Sequence, residues 1–191
     1  MSADAASSLG KTLFRLRGRL MVLPMLFVLL CTSWEVENEL LVFGLGGLLL
    51  AAGVALRVWA QMHLHYRLPD AVILTRTGPF AYVRNPIYIA NTTLLIGCCM
   101  MSEVMVAAPF LLLYCMFLYS PVVRYEETML AKRYGSAYLE YCRQVPRWIP
   151  RLPAQRYGAR FRSLDFLVPS LRAEAHTLLL VAPFVAKELI H

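Results

Sequence analysis

The stretch that decides the fold begins with TGPFAYVRNPIY at residues 77–88 and ends with VPRWIP at residues 145–150. On the way from one segment to the other, residues 87–123 carry a single charged side chain, Glu103. One crossing of a bilayer takes about 20 helical residues, so this apolar run is long enough to cross the membrane and return. We therefore expect both aromatic-rich segments to lie at the same membrane face, where they can form one site.

The overall composition is typical of an integral membrane protein. Of the 191 residues, 59% are hydrophobic and 16% are charged, whereas soluble domains average about 25% charged residues. The mean hydropathy is +0.55 and the formal net charge is +7. A nucleic-acid binder needs a solvated basic face, for which the long apolar runs leave little room. We therefore attribute the basic excess to the cytoplasmic flanks of membrane helices and expect no nucleic-acid partner.

The apolar segments predict an all-α integral membrane fold with four to five transmembrane helices, of which the third and fourth form a helical hairpin. The four predicted spans are residues 20–34, 40–60, 87–101 and 104–119. A fifth apolar segment, residues 176–190, is compatible with a short span, a half-inserted helix or a docked tail. A single membrane domain is expected, divided into an N-terminal flank and first span (1–39), a core (40–152) and a C-terminal basic segment with an apolar helix (153–191).

The distribution of charge predicts the orientation of these helices. Glu35, Glu37 and Glu39 follow the first span, whereas basic residues precede it, separate the second and third spans, and follow the fourth. Because cytoplasmic loops are enriched in Lys and Arg, both termini and the site are expected at the cytoplasmic face. We interpret the basic residues 1–19 as a flank that anchors the first span rather than as a lipid-binding helix.

Small residues in the second span predict how it packs. Gly47, Ala51 and Ala55 recur every fourth residue, which is typical of a helix face that another helix approaches closely.

The region after the hairpin is predicted to cover its cytoplasmic end. Tyr134, Tyr138 and Tyr141 have the spacing of one helix face. Prolines at both ends exclude a helix at residues 145–150, which we predict to be an extended clamp folded over the helix ends. Residues 151–174 are predicted to form a basic, irregular connection.

The side chains that carry chemistry lie at the two ends of the hairpin. Pro86 is suited to the first turn of the third span, and Arg84 before it offers a planar donor fork suited to a carboxylate. Glu126 and Glu127 follow the fourth span and point about 100° apart on a helix, so one can face a pocket while the other pairs with a basic neighbour such as Arg84 or Arg124. Carboxylates among aromatic rings suit a cationic ligand.

Other common sites are not indicated by the sequence. It contains no Ser-His-Asp arrangement, no H-E-x-x-H motif and no phosphate-binding loop. His63 and His65 diverge by about 200° on a helix, so we expect no metal site there. The five cysteines form no C-x-x-C pair, and we interpret them as small buried hydrophobic residues.

At these residues the sequence resembles the isoprenylcysteine carboxyl methyltransferase and phospholipid methyltransferase superfamily. The resemblance covers residues 40–152 and rests on the order and spacing of several segments. These are GPF-x-YVRNP-x-Y from Gly78, EE-x-x-L from Glu126, YG-x-x-Y from Tyr134, Tyr141, and VPRWIP from Val145. It implies an integral membrane enzyme that uses S-adenosylmethionine, held at the cytoplasmic face by the hairpin cap, the glutamate pair and the C-terminal clamp. The acceptor would be lipophilic and would enter from the bilayer.

The resemblance also implies roles for individual residues. Arg84 and Glu127 would be catalytic, with Arg84 orienting an anionic acceptor and Glu127 accepting a proton from an amine. The cofactor-binding residues would be Tyr82, Asn85, Pro86, Tyr88, Glu126, Glu127, Tyr138, Pro146 and Trp148. Asn85 stands where the family has a histidine, so it can hydrogen-bond the cofactor but cannot serve as a titratable base.

Two other classes of protein remain open at this stage. Sterol reductases have a related C-terminal architecture and bind a nicotinamide cofactor, although the glutamate pair favours a methyl donor. A non-catalytic membrane protein that binds a lipid or a partner is compatible with Asn85. The identity of the acceptor (an isoprenylated cysteine, a phospholipid amine, a small thiol or an isoprenoid acid) and the oligomeric state are also left open by the sequence.

Overall fold

The computed structural model describes residues 3–31, 44–67, 73–152 and 163–190, and the regular elements in these ranges are all helical. They are α1 (Ala3–Leu30), α2 (Gly47–Arg67), α3 (Pro86–Met101), α4 (Ala108–Tyr134), α5 (Ser136–Gln144) and α6 (Leu167–Ile190). Short 3₁₀ turns precede α3, α4 and α6, at Gly78–Ala81, Met105–Ala107 and Ser163–Phe166. The acidic turn predicted at residues 35–39 lies outside the described residues.

Length and composition of the helices indicate a membrane protein. Within the described ranges, two helical stretches are long and apolar enough to cross a bilayer, Gly44–Leu64 and Met105–Tyr134. Helix α3 is apolar but has 16 residues, which is about 24 Å. Large apolar side chains on α4 point away from the protein core, among them Phe110 and Phe117, the latter 78% exposed. Such a surface suits contact with lipid.

Helices α3 and α4 form the predicted hairpin. Pro86 occupies the first turn of α3, as predicted, and the chain reverses at Ser102–Val104. Two contacts close the reversal: Val104 N donates to Cys99 O at 3.1 Å, and Cys99 Sγ donates to Val104 O at 2.9 Å. Cys98, Cys99 and Cys115 are buried in this core, in agreement with their interpretation as small hydrophobic residues.

The small-residue stripe predicted on α2 is wrong. Ala51 and Ala55 are exposed, and a side chain at Gly47 would meet nothing within 4 Å. Helix α2 instead contacts α3 through Gly53, where an added Cβ would lie 2.7 Å from Leu94, and through Gly97 of α3, where it would lie 2.9 Å from Leu50. The four-residue spacing of small residues identified the exposed side of α2, because Ala is tolerated on both faces of such an apolar helix.

The basic N-terminal flank is part of a helix rather than a tail before the first span. Helix α1 begins at Ala3, well before the predicted start at Leu20, and packs along α4. A Cβ at Gly10 would lie 3.0 Å from Tyr125, and the Tyr114 hydroxyl donates to Leu20 O at 2.7 Å.

The C-terminal elements also differ from the prediction. Gly135, with φ of 54°, ends α4 and separates Tyr134 from Tyr138 and Tyr141, so the three tyrosines do not share one helix. They still meet in one small apolar cluster, in which Tyr138 and Tyr141 are buried. Helix α6 begins at Leu167, so the predicted irregular connection does not extend to residue 174.

Gly78→Ala should destabilise the protein by about 2 kcal/mol or more. Gly78 has φ of 59°, which strains an L-residue by about 1–2 kcal/mol, and an added Cβ would lie 2.3 Å from the buried His63 ring. His63 itself is fixed by a 2.8 Å hydrogen bond between its Nδ1 and Thr77 Oγ1. Thermal unfolding in detergent measures the effect, with Gly47→Ala as the control. An equal melting temperature for both variants would contradict this prediction.

Candidate active site

Residues from the start of α3 and from the last turns of α4 meet at a single cavity of about 950 Å³, whereas residues 145–150 do not line it. Its walls come from α1, α2, the chain before α3, the first turns of α3, the second half of α4, α5 and one residue of α6. Ligand cavities in proteins commonly measure about 300–1,000 Å³, so the volume suffices for a cofactor and part of an acceptor. Arg84 and Glu126, far apart in sequence, both line it.

Glu127 is held by two arginines at this cavity. Its Oε1 lies 3.0 Å from Arg84 Nη1 and accepts from Arg147 Nε at 2.9 Å, and its Oε2 accepts from Arg147 Nη2 at 2.6 Å. The side chains of Arg84 and Glu127 are 13% and 14% exposed, so this pair is largely shielded from solvent. Both carboxylate oxygens are thereby engaged, and Glu127 joins the start of α3 to the chain after α5.

Glu126 has a different environment from its neighbour. Its Oε2 accepts a hydrogen bond of 2.9 Å from the Tyr88 hydroxyl. In the described part of the chain no lysine or arginine forms an ion pair with it. The two glutamates therefore differ as predicted. Glu127 forms an ion pair with Arg84, and Glu126 lines the cavity with a carboxylate oxygen that is not in an ion pair within the described residues.

The segment after α5 folds back over the start of α3, as the predicted clamp does. Three hydrogen bonds join the two: Arg84 N to Pro146 O at 2.9 Å, Asn85 Nδ2 to Arg147 O at 3.1 Å, and Arg151 N to Tyr82 O at 3.0 Å. Asn85 thus donates one amide N–H to the backbone of the clamp, and no described residue forms a hydrogen bond with its side-chain oxygen.

The predicted site residues divide into two groups. Those that line the cavity are Arg84, Asn85, Pro86, Tyr88, Glu126, Glu127 and Tyr138. Tyr82, Pro146 and Trp148 do not line it. The Tyr82 ring lies 6.1 Å from that of Trp59, Trp148 packs on the hydrophobic core, and Pro146 contributes its carbonyl oxygen to Arg84.

Sequence reasoning missed a second polar group in the cavity wall. Arg57 donates from Nε to Glu174 at 2.6 Å and from Nη1 to Asn91, which ties α2 to α6 and α3. Glu174 is 2% exposed. An arginine within an apolar helix was the available signal, because charged residues inside membrane helices face the protein interior and find partners.

Arg147 and Tyr138, which lie next to Glu127, both have raised pKa values. Hydrogen bonding to Glu127 raises the pKa of Arg147, so its guanidinium stays charged against that carboxylate. Burial, followed by the negative charge of Glu127, raises the pKa of Tyr138, so its hydroxyl stays protonated. This side of the site therefore offers fixed donors rather than a titratable base.

The donors and acceptors of the cavity fit a zwitterionic sulfonium ligand. Arg84 Nε is buried and has no partner within the described residues, so it can donate to a carboxylate. Glu126 supplies a negative oxygen, and Tyr88 and Tyr138 supply aromatic rings, which together attract a cation. The fold and this site define a helical membrane protein with a ligand cavity at the base of its hairpin.

The protein belongs to the phospholipid methyltransferase family, whose model matches residues 41–137. The family is one of membrane methyltransferases, and the resemblance inferred from the sequence is confirmed. The match includes Arg84, Asn85, Glu126 and Glu127, whereas α1, the clamp and α6 lie outside it.

Two curated relatives share about a quarter of their aligned residues with this chain. The nickel-cobalt-cadmium resistance protein NccN of Alcaligenes xylosoxydans is 27% identical over 124 residues, which is 63% of this chain and 56% of NccN. The cobalt-zinc-cadmium resistance protein CzcN of Cupriavidus metallidurans is 29% identical over 124 residues, 65% of this chain and 55% of CzcN. The chain thus spans about half the length of the curated relatives it matches. No solved structure matches it.

Proposed function

We propose that this protein transfers a methyl group from S-adenosylmethionine to a lipophilic acceptor at the cytoplasmic face of a membrane. The observation that carries the proposal is the cavity in which Arg84, at the start of α3, forms an ion pair with Glu127 of α4, beside Glu126. Membership in a methyltransferase family supports the reaction type. Because the chain matches only about half of each relative, metal resistance is not carried over to it.

The membrane topology is part of this proposal. We place four spans in the chain, with α1, α2, α3 and the first part of α4 crossing, and we leave α6 as a fifth span or a docked helix. With α6 docked, both termini lie in the cytoplasm together with the mouth of the cavity and the clamp, whereas a fifth span would place the C-terminus on the opposite side. The positive residues of α1 and the polar end of α4 support this orientation. The whole chain is treated as one membrane domain.

Each residue of the site has a proposed role. When bound, S-adenosylmethionine supplies an activated methyl group, whose carbon–sulfur bond breaks with both electrons left on sulfur as the acceptor forms its new bond to carbon. Arg84 holds a carboxylate of the ligand through its unpaired Nε, and Glu126 faces the positive centre. Asn85, Pro86, Tyr88 and Tyr138 shape the pocket, which excludes water and positions the reactants.

Glu127 is better suited to positioning than to proton transfer. Two hydrogen bonds from Arg147 and an ion pair with Arg84 occupy its oxygens, so accepting a proton would disrupt both ion pairs. With an amine acceptor, we assign the released proton to Glu126, whose described partner is a neutral hydroxyl. A carboxylate acceptor needs no base, since it is already an anion. This revises the role that the sequence resemblance implies for Glu127.

Calorimetry on the purified full-length protein tests the cofactor. We expect S-adenosylhomocysteine to bind and NADPH to show no heat of binding. Binding of NADPH alone would favour the reductase alternative, and binding of neither would favour a non-catalytic membrane protein. Membranes with and without the protein, incubated with methyl-labelled S-adenosylmethionine, then give the acceptor when the labelled lipid-soluble product is identified by mass spectrometry.

A further inference from the structure

The chain from Trp148 to Leu152, at the end of the clamp, has an inner and an outer side. Trp148 packs on the hydrophobic core, whereas Ile149 and Leu152 are 81% and 84% exposed. Arg151 between them is exposed as well. The backbone is fixed at this point, because Arg151 N donates to Tyr82 O at 3.0 Å. The two large apolar side chains are therefore held on the outside of the protein.

This apolar surface continues onto a helix that is long and apolar enough to cross a bilayer. The centre of the Tyr82 ring lies 6.1 Å from that of Trp59, and the two side chains are 36% and 41% exposed. Trp59 belongs to Gly44–Leu64, one of the two candidate spans in the described ranges. Trp and Tyr are enriched where membrane helices enter the head-group layer. We call Trp59, Tyr82, Ile149 and Leu152 together the outer patch.

The sequence beside the outer patch is strongly basic. Residues 147–162 contain five arginines, at positions 147, 151, 156, 160 and 162, and neither aspartate nor glutamate. The last three lie outside the described residues. Arg147 is held by Glu127, whereas Arg151 is exposed between the two apolar side chains of the clamp. Clusters of four or more basic residues next to a membrane helix attract anionic lipids. The charge therefore matches a leaflet that carries anionic head groups.

We propose that the outer patch inserts into the head-group layer of the cytoplasmic leaflet and that Arg151 binds anionic lipid there. Ile149 and Leu152 then lie at the depth of Trp59. The clamp, whose backbone is hydrogen-bonded to the start of α3, thereby sets the depth of the cavity relative to the leaflet surface. This inference rests on the proposed crossing of the membrane by α2 and is independent of the methyl-transfer reaction.

Photocrosslinking identifies the molecules that touch the outer patch. The photoreactive residue p-benzoylphenylalanine is placed in the full-length protein at one position per variant, in place of Ile149, Leu152, Leu48 or Glu140. Leu48 is 64% exposed on α2 and reports contact with the bilayer. Glu140, which pairs with Arg143 on the exposed side of α5, is the control for a surface in water. Each variant is irradiated in vesicles of phosphatidylcholine and phosphatidylglycerol, and the products are identified by mass spectrometry.

We expect lipid capture at positions 149 and 152 to equal that at position 48 and to exceed that at position 140 severalfold. Lipid captured at 149 and 152 should be enriched about fivefold in phosphatidylglycerol over the vesicle, the factor that one arginine beside anionic lipid provides. Arg151→Gln should abolish this enrichment without reducing total capture. The matched control is Arg143→Gln, an exposed arginine of α5, which should leave the enrichment unchanged.

The position of the failure distinguishes the inference from the topology on which it rests. Lipid capture at position 48 but not at 149 and 152 would overturn the inference. Capture of a second copy of the chain at 149 and 152, or a head-group ratio there equal to that of the vesicle, would overturn it as well. No capture at position 48 would show that α2 does not cross, which contradicts the proposed topology and the inference with it.

Discussion

Glu127→Gln should lower the free energy of unfolding by about 3 kcal/mol. The amide has the same shape as the carboxylate but removes the charge that Arg84 and Arg147 share at 3.0 and 2.6 Å. Removing one member of a buried ion pair commonly costs about 3–5 kcal/mol, because the other charge is left without compensation. Arg147 is 38% exposed and regains water, so we expect the lower end of this range.

The matched control is Glu140→Gln on α5. Glu140 pairs with Arg143 at 3.2 Å, but the two side chains are 49% and 79% exposed. Exposed pairs of this kind contribute at most about 1 kcal/mol, so binding and stability should be nearly unchanged. Thermal unfolding measures both variants in the same detergent. A Glu127→Gln protein that melts at the same temperature as the Glu140→Gln protein would contradict the role given to the arginine-held carboxylate.

Glu126→Gln should reduce methyl transfer about a hundredfold or more and should distinguish substrate from product. Glu126 forms no ion pair within the described residues, the charge of Arg17 acts on it from farther away, and its side chain lines the cavity proposed to hold the positive sulfur of S-adenosylmethionine. Removing one group that stabilises charge in an active site commonly lowers the rate by about 10²–10³. S-adenosylhomocysteine has a neutral sulfur, so its binding should fall much less than that of S-adenosylmethionine.

Tyr88→Phe serves as the companion variant. It keeps the Glu126 charge and removes only the 2.9 Å hydrogen bond to it. A hydrogen bond to a charged group contributes about 1.5–3 kcal/mol, so a loss of about tenfold in rate is expected, smaller than for Glu126→Gln. Turnover and the affinities for S-adenosylmethionine and for S-adenosylhomocysteine are measured for each variant. Wild-type turnover in Glu126→Gln, or equal losses for substrate and product, would show that this carboxylate does not act on the positive centre.

The hairpin and the meeting of its two ends could be predicted from sequence because both depend on length and charge. An apolar run of sufficient length must return to the face it left, which brings Arg84 towards Glu127 whatever its neighbours are. The start of α3 was also predictable, since Pro86 tolerates only a few helical positions. The family resemblance then restricted the chemistry to residues already singled out.

The parts that could not be predicted depend on which side of a helix meets its neighbour. Both faces of α2 are apolar, so composition cannot tell the exposed Ala51 from the buried Gly53. The role of α1 was missed for a related reason: its arginines match the basic flank expected beside any first span. Only packing against α4 shows that one face of α1, which includes Phe14 and Met21, lines the cavity.

The backbone hydrogen bonds between the clamp and the start of α3 have a consequence for the order of folding. Asn85 and Arg147 are 62 residues apart in the chain, whereas the contacts that close the hairpin tip join residues five apart. Local contacts form early and distant ones late, since a longer loop loses more entropy on closure. A nascent chain can thus insert its hairpin while Arg84 still lacks the main-chain acceptor at Pro146. The start of α3 is therefore fixed only after residues 145–151 have left the ribosome and their backbone groups have bonded to Tyr82, Arg84 and Asn85.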